Sequence, residues 1–60
     1  MNRAELSRKL RDLRNECISL VGETITTFIV FKVITYPIDN QYDEFRRIID
    51  KLRDEIDRNR

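Results

Sequence analysis

The thirteen residues from Thr24 to Tyr36, TITTFIVFKVITY, constrain this chain more than any other part of it. They include no Gly, Pro, Asn or Asp, and nine of them (Thr24, Ile25, Thr26, Thr27, Ile29, Val30, Val33, Ile34 and Thr35) are branched at Cβ. Branched and aromatic side chains suit the pleated surface of a strand and lose rotamer freedom in a helix. The composition therefore predicts one unbroken β-strand over residues 24–36. With a side-chain period of two, Ile25, Ile29, Phe31 and Val33 share one face with Thr27 and Thr35. Phe28, Val30, Ile34 and Tyr36 share the other with Thr24, Thr26 and Lys32.

The only Gly and the only Pro bracket this stretch. Gly22 suits a helix terminus at positive φ, and Pro37 interrupts a sheet ladder because it carries no N–H. Before Gly22, Leu6, Leu10, Leu13, Cys17 and Leu20 form one apolar stripe at helical spacing, predicting a helix over about 2–21. Glu5, Asp12 and Glu16 line one flank of the stripe; Arg8, Arg11 and Arg14 line the other, with Asp12 able to pair back to Arg8. After Pro37, Asp39 or Asn40 caps a helix predicted over about 40–57, with Asp43 and Glu44 in its first turn. Phe45, Ile48, Ile49, Leu52 and Ile56 make its apolar stripe. Asp43 with Arg47 and Asp54 with Arg58 are spaced to pair on its exposed side, and the closing DRNR, with no apolar anchor, is expected to fray.

A lone strand cannot complete its own hydrogen bonding. Thirteen extended residues span ~43 Å, whereas a compact chain of this length is only ~27 Å across. No hairpin turn lies within the stretch, so it does not fold back on itself. The predicted fold class is thus α+β: a single helix–strand–helix domain over residues 1–60, forming an intertwined homodimer. Its central strands would pair antiparallel and its helices would pack on the ribbon. Phe28, Ile29, Val30, Phe31, Lys32, Val33 and Ile34 would carry the self-association, and the amphipathic second face allows a tetramer built from two dimers. Two other arrangements compete. The heptad spacing of the first helix continues through Thr24, Thr27, Phe31, Ile34 and Ile38, as in a long coiled coil, although threonines fit that core poorly. The strand could also extend the sheet of a different protein. A membrane span is disfavoured, because the apolar run is short of ~20 residues and Lys32 interrupts it.

Sixty residues bury only ~60 % of their unfolded surface, so a chain of this size leans on disulfides, a metal or association. With one cysteine and no histidine, the chain offers no zinc or haem ligand set, and no cofactor is expected. Cys17 lies on the apolar stripe, as a buried thiol or, alternatively, a bridge across a symmetry axis. Without histidine, an activated serine or a Gly-rich loop, the residues predict no enzyme. One cysteine and no export-signal pattern predict the cytoplasm. The function expected is that of a small non-enzymatic, homo-oligomeric protein-interaction module: a regulator, inhibitor or assembly domain whose partners are itself and another protein. The alternative is a small regulator that binds nucleic acid or an anionic ligand through its first helix. Residues 1–14 carry five basic and two acidic side chains, a local charge of +3, with Arg8, Arg11 and Arg14 as the candidate contacts.

Overall fold

The computed structural model describes residues 2–60 as three helices: α1 (Arg3–Val21), α2 (Glu23–Val33) and α3 (Ile38–Arg58). The fold is all-α. Among the described residues there is no strand, so the α+β class and the helix–strand–helix protomer are corrected, and the dimer built on paired strands falls with them.

The middle of the chain does need a complete set of backbone hydrogen bonds, but it makes them locally. A helix bonds each N–H to the carbonyl four residues back and needs no second copy. The length argument also lapses, because eleven helical residues rise only ~16 Å. The threonines adapt to this conformation. The Thr26 hydroxyl donates to the Gly22 carbonyl at 2.7 Å and the Thr27 hydroxyl to the Glu23 carbonyl at 2.9 Å, the back-bonding that lets threonine sit in a helix. β-Branched residues cost a helix up to ~0.7 kcal/mol each relative to alanine. Burying one valine or isoleucine contributes ~1.5–3 kcal/mol. Thr26, Ile29, Val30 and Val33 are spaced to face inwards on one helical stripe, with Thr26 and Val33 fully buried. Tertiary packing outweighs the local preference.

Gly22 is the pivot. It ends α1 by donating its N–H to the Ile18 carbonyl at 2.9 Å, and its own carbonyl accepts from the Thr26 N–H at 3.2 Å to open α2. Its φ of 90° and ψ of 170° lie where essentially only glycine is comfortable. The break also overturns the continuous coiled coil, since α2 turns back along α1. α3 then runs alongside α1 in the same direction. Lys9 near the start of α1 lies 5.6 Å from the Tyr42 ring, and Glu16 further along meets Arg46 and Arg53. The result is an up-down-up bundle, 39 × 18 × 18 Å in extent, with a core of Leu13 and Cys17 from α1, Val33 from α2, and Phe45 and Ile49 from α3.

The outer helices follow their sequence signals closely. Asn2 caps α1, its Oδ1 accepting the Glu5 N–H at 2.8 Å. Cys17 has no exposed surface, which places the thiol out of reach of a second chain. α3 starts two residues earlier than expected: Pro37 occupies the cap position and Asp39, rather than Asp43, lies in the first turn. It continues to Arg58, which pairs with Asp54 at 3.3 Å as its spacing predicts, so only Asn59 and Arg60 lie beyond the helix. Arg47 pairs with Glu44 at 3.7 Å, not with Asp43, and Asp12 forms no ion pair with Arg8.

Candidate interaction surface

α2 has two apolar sides. One supplies the core. The other carries Phe28, 69 % exposed, Phe31, 61 % exposed, and the half-exposed Ile25; Ile34 and Ile38, also about half exposed, lie beyond the C-terminal end of the helix. At 100° per residue, Phe28 lies at the centre of this outward face, Ile25 and Phe31 flank it at ~60° on either side, and Thr24 and Lys32 lie at ~40°. A helix that is apolar all round is normally buried all round, and α2 is covered on one side only.

The predicted self-association residues divide between these sides. Phe28, Phe31, Lys32 and Ile34 are exposed, Ile29 and Val30 are half-buried against the core, and Val33 is part of it. Ile25 belongs to the outward face and Ile38 is exposed at the start of α3, but neither is among the residues predicted to self-associate. A helical reading of residues 24–36 would have found Ile25, because residues 25, 28 and 31 share one side at 3.6 residues per turn whereas alternation separates Phe28 from Ile25 and Phe31.

Where α2 folds back along α1, two open clefts run between the helices. One, of about 270 Å³, lies between Ser7, Leu10 and Arg11 of α1 and Val30 and Val33 of α2, with Ile34 just past α2 and Gln41 of α3 also lining it. The other, of about 220 Å³, lies between Ile18 and the Thr27–Phe31 side of α2. Arg14 and Val30 line both. Each is smaller than the ~300–1,000 Å³ usual for a small-molecule site, so side chains of a docked protein fit them better than a cofactor does.

The three arginines expected to act together do not all reach these clefts. Arg11 and Arg14 line them, whereas Arg8 lies further round α1 and lines neither. The opposite flank of α1 is engaged internally. Glu16 is approached by Arg53 at 3.2 Å and Arg46 at 3.8 Å, its Oε2 shielded from solvent by α3. Among the described residues, the arginines of α1 form no ion pair, while Arg46, Arg47, Arg53 and Arg58 of α3 all do.

Among the described residues no helix is long and apolar enough to cross a membrane. No protein-family model, curated protein or solved structure matches this chain.

Proposed function

We propose that this chain is a small non-enzymatic interaction module that self-associates through the outward face of α2. The observation that carries this reading is the number of exposed large apolar side chains on and just beyond α2: Ile25, Phe28 and Phe31 on one side of the helix, and Ile34 and Ile38 past its C-terminal end. At 150–250 Å² per aromatic side chain, these five residues present ~500 Å², near the upper end for the largest patch on a soluble monomer. The total accessible surface points the same way. It is 4761 Å², ~600 Å² more than the scaling for a monomer of this mass gives. Two such faces come to ~1,000 Å², the threshold for a specific interface, before the stems of Thr24, Thr27 and Lys32 are added.

Sedimentation equilibrium tests the reading. The wild-type chain should migrate as more than a monomer at ~100 μM, above the micromolar Kd expected of a small interface. Phe28→Asp should weaken association by at least ~30-fold, as loss of a central aromatic anchor does, while leaving the far-UV circular dichroism helical. A monomeric wild type, or a variant that associates equally well, would overturn it.

The unpaired arginines of α1 support a second reading, an anionic partner on that flank, with Arg11 and Arg14 nearest the clefts. Retardation of short DNA or RNA probes that falls steeply with added salt would favour it over self-association; absence of any shift would remove it.

A further inference from the structure

We infer that the occupant of the α2 face is a second copy of this chain, packed α2 against α2 in antiparallel register with the two-fold axis passing beside Phe28. The inference rests on the self-association proposed above and adds the geometry of the contact.

Three features support this register. Phe28 is the most exposed of the large apolar residues and lies midway between Ile25 and Phe31 on the outward side of α2. The surface on either side of it is matched: apolar at three residues distance, Ile25 and Phe31, and hydrophilic at four, Thr24 and Lys32. An antiparallel two-fold contact joins each half of such a face to the opposite half of its copy. Phe28 then meets Phe28, and the Ile25 end of each helix meets the Phe31 end of the other. This is the self-complementarity an isologous interface requires.

Charge selects the direction. In a parallel pairing the two copies of Lys32 stand at one level beside the same apolar contact, and the two helix dipoles align side by side. Antiparallel pairing opposes the dipoles. It also moves the two lysines ~12 Å apart along the axis, four residues either side of Phe28 at 1.5 Å per residue, beyond the Debye length of ~8 Å at physiological salt. Glu23 lies towards α1, among the residues lining the smaller cleft, and so does not oppose this choice. The contact is closed: each α2 face is used once, so the product is a dimer and not a filament.

The test uses two substitutions one helical turn either side of Phe28, Thr24→Cys and Lys32→Cys, treated with a short thiol-to-thiol crosslinker. Wild-type chain serves as the control, because its only thiol, Cys17, is fully buried. Antiparallel register brings residue 24 of one copy to residue 32 of the other. A mixture of the two variants should therefore give a covalent heterodimer, and each variant alone should stay at the wild-type background. Efficient linking of Lys32→Cys to itself would show parallel pairing and overturn the register while leaving self-association standing. A wild type that sediments as a monomer, with no crosslinking in any combination, would overturn both. Collection of that monomer on vesicles of anionic phospholipid would overturn both as well, by putting a bilayer on the face instead.

Discussion

α3 and α2 are both regular helices, yet they relate to the rest of the molecule in opposite ways. α3 presents one apolar stripe to the core, Phe45, Ile48, Ile49 and Leu52, and a charged surface to solvent laced by ion pairs at Asp50, Asp54 and Glu44. α2 presents apolar surface in both directions, and the bundle uses one of them. Where α3 contributes a finished surface, α2 contributes half a core and an unfinished contact. In a chain of sixty residues, two partner helices are too few to surround an eleven-residue apolar one.

The contrast gives a set of measurements. The largest effect belongs to the buried side. Phe45→Ala removes an almost fully enclosed ring at the meeting point of α3 with the core, and should cost ~3–5 kcal/mol by urea denaturation, enough to unfold much of a marginal domain. By the same measure Phe28→Asp should leave the fold within ~0.5 kcal/mol when compared at concentrations where both chains are monomeric. A comparable loss at the two positions would show that the outward face of α2 is already covered within one chain. The hinge between α1 and α2 should give an intermediate effect. Gly22→Ala meets no neighbour within 4 Å but forces a side chain onto a φ of 90°, at ~1–3 kcal/mol. A cost near zero would mean that α1 and α2 do not turn at this residue. The smallest effect is the sharpest on conformation. Thr27 is exposed and its hydroxyl serves only the Glu23 carbonyl, so Thr27→Ala should stabilise a helix there by a few tenths of a kcal/mol. A loss of stability instead would indicate a strand, where threonine is preferred.

Much of this architecture is legible in the residues taken in order. The 4-3-4-3 spacing from Leu6 to Leu20 gives α1 and its buried side, including Cys17, and the stripe from Phe45 to Leu52 gives α3 and its core contact. Gly22 marks its turn because only glycine adopts that φ without strain. These features read clearly because each depends on near neighbours and because a charged face makes the period visible. α2 lacks that contrast. With six apolar side chains spread around its eleven positions and threonines between them, its sequence shows no clear 3.6-residue period, and its threonines, valines and isoleucines point by local preference to a strand. The candidate site suffers from the same ambiguity. Phe28, Phe31 and Ile34 are identifiable as apolar residues in want of cover, but which of their neighbours join them depends on whether the side-chain period is 2 or 3.6.

The sequence by itself determined two amphipathic helices, the break at Gly22, a buried thiol and an apolar middle segment too rich in branched residues to be solvent-exposed on all sides. Only the tertiary structure decided the conformation of that middle segment. A strand here would have needed hydrogen-bond partners from another molecule, whereas a helix closes its own ladder and lays Thr26, Ile29, Val30 and Val33 on the core between α1 and α3. Packing against two neighbours, worth more than the local propensity it overrides, also settled which apolar residues were left facing outwards.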